Sequence, residues 1–317
     1  MRIMVMGAGA LGCYFGGLLA RNGEDVTFVA RGDNLRALRS RGLQVKNADG
    51  DFALPVHALE RPEEAGPVDL IIIAVKSFDL ESAAGAVRPV VGPETAVLCL
   101  QNGVDAEDHL ATTLGREHIL GGAVYTSAFV EGPGVIRSHN STAGQRIVLG
   151  EMHGVVTPRV EAIATVFQRT GIKAEPTASI VTVLWDKFVL ICGLSGTTAT
   201  ARVPMGRVWA QSETRELLRG LMTETASVGM ARGVPLSGIV DRHMTGIEQW
   251  ITGPGAQAYT SLYADLQAGR RLEVDSLAGA VVRMGREANV PTPLNFAVLA
   301  ILAPHRTPAS PQAKGPI

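Results

Sequence analysis

A strand pattern, Arg2–Met6, runs straight into Gly7-Ala8-Gly9-Ala10-Leu11-Gly12 and then into a helical pattern. That context gives the GxGxxG spacing its chemistry. The first glycine permits a tight turn, the second lets backbone approach a pyrophosphate, and the third lets helix and strand pack, while the helix N-terminus attracts negative charge. Residues Gly7, Ala8, Gly9, Ala10, Leu11 and Gly12 are therefore the candidate dinucleotide cradle. An NAD-binding chain would place Asp or Glu about 20 residues further on, at the tip of the second strand, to hold the ribose 2′-hydroxyl. Here the tip reads Val26-Thr27-Phe28-Val29-Ala30-Arg31. A guanidinium pairs with a 2′-phosphate in bidentate fashion, so Arg31 points to NADP(H). The alternative is a solvated loop arginine, since Arg36, Arg39 and Arg41 follow closely.

Polar residues that end apolar strands point into the ligand crevice of an open α/β sheet. Lys76 ends Leu70–Val75, and Asn102 follows Leu98-Cys99-Leu100. Lys76 also reads as a snorkelling surface lysine, and Asn102-Gly103 as a simple turn. Further on, Lys187 is the one ammonium in Val183–Cys192, with Val183, Leu184, Leu190 and Ile191 on its helical face. Desolvation there should lower its pKa unless a carboxylate compensates. Such a lysine can give a proton to the alkoxide formed as hydride reaches a carbonyl carbon. Its plainer reading is an apolar stem with the head in water or on a carboxylate. Ser261, in the early turns of a helix after Gly253-Pro254-Gly255, suits a substrate carboxylate. Glu273, after the Gly269 break, suits a hydrogen bond from substrate or a partnership with Lys187. Both also read as ordinary solvated helix residues.

The elements that must position these groups fall into two sets. Strand patterns at Arg2–Met6, Asp25–Ala30, Leu70–Val75, Ala96–Leu100 and Ile119–Val124 alternate with helical ones, as in a doubly wound parallel sheet. Leu70–Val75 is apolar on both faces and reads as central. Gly132 to Gly150 reads as an antiparallel hairpin closing the sheet edge, followed by a helix near Pro158–Arg169 and a strand at Ile172–Glu175. After Pro176 only helices are expected: Ser179–Leu194, Glu213–Arg232, Ala256–Ala268, Val274–Ala288 and Leu294–Leu302. The domains are thus 1–176, binding NADP, and 177–317, helical and catalytic, packed around a shared cleft. The proline-rich tail His305–Ile317 is expected to be mobile.

With 317 residues, 46% of them hydrophobic, the chain is globular, and a net charge of −1 gives no field to gather nucleic acid or anionic membrane. The uncharged stretch from Ile3 to Ala20 imitates a signal or a span, but its glycines belong to the phosphate loop. Cys13, Cys99 and Cys192 lack the paired spacing of a zinc site or a disulfide framework. The chain is expected to be cytoplasmic, to hold no metal, and to bind a small molecule rather than nucleic acid or membrane. A homodimer is left open.

Taken in order, GAGALG, AVK at 74–76, QNG at 101–103, WDK at 185–187, the Ser261-to-Glu273 stretch and GREANVPTP at 285–293 resemble the ketopantoate reductase (2-dehydropantoate 2-reductase) family over nearly the whole chain. The resemblance implies a Rossmann domain joined to a helical domain like that of 6-phosphogluconate dehydrogenase. It also implies NADPH-dependent reduction of a 2-keto acid, giving pantoate for coenzyme A biosynthesis. Lys187 would be the general acid, Glu273 the partner of the substrate hydroxyl, and Ser261 the carboxylate ligand. Lys76 and Asn102 would line the nicotinamide and substrate side, and Arg31 would meet the 2′-phosphate. The chain departs from the family where asparagines usually follow the lysine by four and eight positions, which here are Ile191 and Ser195. An apolar wall weakens recognition of a small dihydroxylated acid, so a paralogue reducing a more hydrophobic 2-keto acid is the alternative. Two others are a hydroxyacid dehydrogenase with Lys187 as base and an NADPH sensor without catalysis, though a sensor has no use for Lys187 and Glu273.

Overall fold

The computed structural model describes residues 1–307. Of the tail His305–Ile317, residues from 308 onward lie outside the described residues. The chain forms two compact units, Met1–Gln101 with Asp105–Val183, and Asn102–Val104 with the chain from Leu184 onward.

In the first unit strands and helices alternate: β1 (Arg2–Met6), α1 (Ala10–Arg21), β2 (Asp25–Val29), α2 (Gly32–Arg41), β3 (Leu43–Lys46), β4 (Phe52–Leu54), β5 (His57–Leu59), β6 (Leu70–Ile73), α3 (Leu80–Val87), β7 (Ala96–Cys99), α4 (Ala106–Leu114), β8 (Ile119–Tyr125), β9 (Ala128–Gly132), β10 (Val135–Ser138), β11 (Arg146–Glu151), α5 (Pro158–Gln168) and β12 (Lys173–Pro176). Side-chain alternation in β6 shows why the sheet is covered on both faces. Leu70 and Ile72 join a core with Leu18, Leu19 and Phe167, while Ile71 and Ile73 join another with Leu80, Ala84 and Leu110. All four are fully buried. At roughly 1.5–3 kcal/mol for each such side chain, a polar substitution in this strand is costly. The parallel strands follow the order β5-β2-β1-β6-β7-β8, with chain order reversing between β1 and β6, as in a doubly wound Rossmann sheet. β11 then adds antiparallel to β8, and β12 adds parallel to β11.

One expectation is corrected here. Gly132–Gly150 is not a hairpin on the main sheet: β9 and β10 pair with each other in a separate sheet of order β4-β3-β10-β9. β10 pairs with the distant β3, and only β11 returns to the main sheet. The turn signals in this stretch mark chain reversals and carry no information on which strand is the partner.

The second unit holds α6 (Ile180–Ala201), begun in the first unit, then α7 (Met205–Ala210), α8 (Ser212–Ala231), α9 (Ile239–Ile251), α10 (Ser261–Gln267), α11 (Ala278–Glu287) and α12 (Pro293–Leu302). α8 is the hub, packing on α7, α9, α11 and α12. From it Glu224 accepts the backbone N–H groups of Leu294 and Asn295 at 2.8 and 2.9 Å, satisfying first-turn donors of α12. α6 is longer than expected, and 22 residues of its composition suffice to cross a bilayer. With 61% of its most apolar stretch buried inside the protein, it is a core helix.

Three helical expectations also change. Ala256–Ala268 is split: a short turn at Pro254–Gln257 ends before Ala258, whose carbonyl accepts the Met205 N–H at 2.8 Å, and α10 starts afresh behind Thr260 as N-cap. Val274–Ala288 begins as a helix only at Ala278, because 274–277 form a turn closed by Gly279 N–H to the Val274 carbonyl at 2.9 Å. α7 and α9 have no counterpart among the expected helices.

Candidate active site

The loop from Gly7 to Gly12 connects β1 to α1 at the edge of the chain reversal between β1 and β6. Gly7 has φ +105°, and a Cβ there would lie 2.8 Å from the backbone of Ala74 and Val75. At Gly12 a Cβ would stand 2.0 Å from the Gly7 carbonyl oxygen, so helix and turn can pack this closely only without a side chain. Gly9 differs, because a Cβ there would meet nothing within 4 Å. Open space thus lies over the helix N-terminus. Gly9 is the N-cap, no side chain caps α1, and no acidic residue stands in its first turn. Uncapped amides beside open space fit a dinucleotide pyrophosphate.

Arg31 is the N-cap residue of α2, with extended backbone (φ −132°, ψ 161°) and an exposed side chain. Among the described residues no carboxylate pairs with it, whereas Arg36 is taken by Asp33 and Arg39 by the Ala58 carbonyl. Its guanidinium is therefore available for a phosphate. Lys76 stands three residues past the end of β6, half-buried, and leads into the short turn Ser77–Asp79. Asn102, also half-buried, follows Gln101, whose side chain is buried. Gln101 donates from Nε2 to the Val75 carbonyl at 2.8 Å and lies 3.7 Å from the Cys99 thiol. One buried amide thus ties the residue before Lys76 to the residue before Asn102. In the sequence Gln101 has no role beyond its place in the QNG motif.

In the second unit the WDK segment is fixed on three sides. Trp185 is buried edge-to-face on Phe188 with centroids 5.7 Å apart, and it packs so closely on α8 that a Cβ at Gly229 would lie 2.7 Å from its ring. Asp186 meets His243 of α9 at 2.8 Å, and His243 Nε2 also lies 3.1 Å from the Asp186 carbonyl. Phe188 and Val189 are buried. These anchors set the rotation of α6 and hence the direction in which the half-buried Lys187 leaves it. The Asp186–His243 pair was not foreseen, because its partner lies on the unexpected α9.

Lys187, Ile191 and Ser195 follow at four-residue spacing and share a helix face. Ile191 is half-buried and Ser195 buried. Thr198 continues this stripe and lies 3.1 Å from the Thr260 hydroxyl, which accepts the Tyr263 N–H and starts α10. Ser261 is therefore the first residue of α10, exposed, on a helix of seven residues. So short a helix offers little of the dipole expected of it. Glu273 is half-buried in the loop between α10 and α11. Its carbonyl accepts the Ser276 hydroxyl at 3.0 Å, and Leu272 N–H donates to the Arg306 carbonyl at 3.1 Å. Arg306 also pairs with Asp275 at 2.8 Å, so the segment beyond α12 holds this loop.

The three thiols are all buried and unpaired as disulfides. Burial pushes Cys13 up to about 12 and raises Cys192 as well, so neither is a thiolate near neutral pH. Among the described residues no three His, Cys, Asp or Glu side chains gather as a metal site.

Residues 3–154 match the family described as Ketopantoate reductase PanE/ApbA, and residues 179–306 match Ketopantoate reductase PanE/ApbA C terminal. A 2-dehydropantoate 2-reductase of Mesorhizobium japonicum is 32% identical over 95% of this chain and 97% of its own. Among solved structures, a 2-dehydropantoate 2-reductase from Geobacter metallireducens GS-15 superposes with TM-score 0.88 at 32% identity, covering 96% of this chain and 99% of that one. A D-mandelate dehydrogenase solved with NADH and anilino(oxo)acetate gives TM-score 0.89 at 24% identity, covering 96% and 98%, a likeness of fold.

Proposed function

Since the chain belongs to the ketopantoate reductase family and is an oxidoreductase, we propose that it reduces a 2-keto acid to the 2-hydroxy acid with NADPH, 2-dehydropantoate being the leading substrate. The observation that carries this reading is Lys187, an ammonium leaving a rotationally fixed apolar helix on the face it shares with Ile191 and Ser195. NADPH, when bound, supplies the hydride that the carbonyl carbon accepts. The chain's own groups do the rest. Uncapped amides at the start of α1 and the backbone of Gly7 to Gly12 hold the pyrophosphate, and Arg31 meets the 2′-phosphate. Lys76 and Asn102 line the nicotinamide and substrate side. Lys187 Nζ gives a proton to the carbonyl oxygen as negative charge develops there, and its charge stabilises that oxygen. Glu273 accepts a hydrogen bond from a substrate hydroxyl, and the Ser261 hydroxyl donates to the substrate carboxylate. We place the protein in the cytoplasm, with a small-molecule substrate as its ligand.

A second reading rests on one observation. Where the resemblance would place two amides, the Lys187 face carries a half-buried Ile191 and a buried Ser195. Buried amides discriminate by about 10⁴-fold between substrates with and without matching polar groups, and an apolar wall does not. A bulkier, more hydrophobic 2-keto acid would fit that face better. The test is NADPH oxidation, followed by absorbance, across a panel of 2-keto acids. Turnover with at least one supports the reductase, and none with any would remove it. If 2-dehydropantoate matched or exceeded every bulkier acid in kcat/KM, the second reading would fail.

A further inference from the structure

We infer that Asn34 is a positioning residue that sets both phosphate-holding segments of the first unit at once. The inference rests on the phosphate-loop reading and adds a residue to it. Asn34 sits in the first turn of α2, just past Arg31, and its side-chain amide is shared between two elements distant in sequence. Its Nδ2 donates to the Ala8 carbonyl inside the glycine-rich loop. Its Oδ1 accepts the Gly134 N–H at 2.7 Å from the turn between β9 and β10.

The Ala8 carbonyl is thus held inward, and the Cys13 thiol, 3.2 Å away, donates to the same oxygen. No peptide in the described chain is cis. In a trans peptide the C=O and the following N–H point opposite ways, so drawing the Ala8 oxygen toward Asn34 turns the Gly9 N–H outward. That is the donor beside the open space over Gly9, and among the described residues nothing accepts it. The same amide fixes the first turn of α2, hence the backbone from which Arg31 projects. The Gly134 arm braces the amide from the small sheet, and Arg41 adds a second tie by donating to the Pro133 carbonyl at 3.2 Å. Asn34 therefore couples the orientation of a pyrophosphate donor to the placement of the 2′-phosphate cation.

The coupling has a signature that neither Arg31 alone nor general destabilisation shares. NADH lacks the 2′-phosphate but has the pyrophosphate, so loss of Asn34 should weaken both nucleotides, whereas loss of Arg31 should weaken NADPH only. NADPH and NADH are titrated calorimetrically into the full chain as wild type, Asn34→Ala, Asn34→Asp and Arg31→Ala, with melting temperature without nucleotide measured alongside. Asn34→Ala should raise the dissociation constant of NADH about tenfold, the scale of one lost charge-assisted hydrogen bond, and that of NADPH by more because Arg31 loses its placement too, with kcat at saturation within about twofold. Asn34→Asp keeps the acceptor for Gly134 N–H and replaces the donor to Ala8 with a charged acceptor. Read in high salt, where its charge is screened, it should weaken both nucleotides likewise, and it decides the matter should the alanine variant not fold. A folded Asn34→Ala or Asn34→Asp that melts lower yet binds both nucleotides as wild type does would make Asn34 purely structural and overturn the proposal. If wild type itself bound neither nucleotide, the phosphate-loop reading would fall, and the proposal with it.

Discussion

Glu107→Gln should stabilise the protein in mild alkali and do far less in mild acid. Glu107 lies in the first turn of α4, 3% exposed, with Oε2 lacking any hydrogen-bond partner among the described residues. Burial pushes its carboxyl from the ordinary 4.5 up to about 7, with Asp105 and Asp108 adding to the rise while its own N–H and the Cys99 thiol oppose it. The folded state therefore holds a proton that the unfolded chain has released. Stability is full below pH 4.5, falls as pH rises through about 7, and stays low above it. Each tenfold change in proton affinity is about 1.4 kcal/mol, so the gap between 4.5 and about 7 amounts to about 3 kcal/mol in alkali and about 1 kcal/mol at pH 5. Glutamine fills the same space and cannot ionise. Urea unfolding of wild type and variant at pH 5 and pH 8.5 should show the variant's advantage growing by about 2 kcal/mol between them. An advantage equal at both pH values, or one that shrinks in alkali, would refute the claim that a buried carboxylate is the source.

Two further outcomes follow from the site. Arg31→Ala should raise KM for NADPH about tenfold, leave KM for NADH near its original value and spare kcat; a preference between the cofactors that survives the change would take Arg31 out of phosphate binding. Ile191→Asn should move kcat/KM toward 2-dehydropantoate over an apolar 2-keto acid of similar size by about tenfold or more, read as competing turnover rates, and no movement would remove Ile191 from the substrate wall.

The sheet was legible because its signals are local. A glycine-rich turn, β6 with apolar side chains on both faces and a change to helical periodicity after Pro176 need no partner to be read. The small sheet was not, since β4 has three residues and β3 and β10 four, too short for alternation to stand out. α9 escaped because only Ile239 and Ile247 of its thirteen residues are buried, leaving a surface helix with a sparse apolar stripe. Among the candidate residues, Arg31, Lys76, Asn102, Lys187, Ser261 and Glu273 stand out by type and by place in a pattern. Asn34, Gln101 and His243 do not, because what each does depends on a contact with Gly134, Val75 or Asp186 far along the chain.

Lys187→Ala tests the central claim most directly, read as single-turnover NADPH oxidation beside NADPH affinity in the same preparation. Loss of the proton donor should lower the chemical rate by about 10²-fold or more while the dissociation constant for NADPH stays within about twofold. A variant that turns over at close to the wild-type rate would contradict the account, because no other group in it gives the proton.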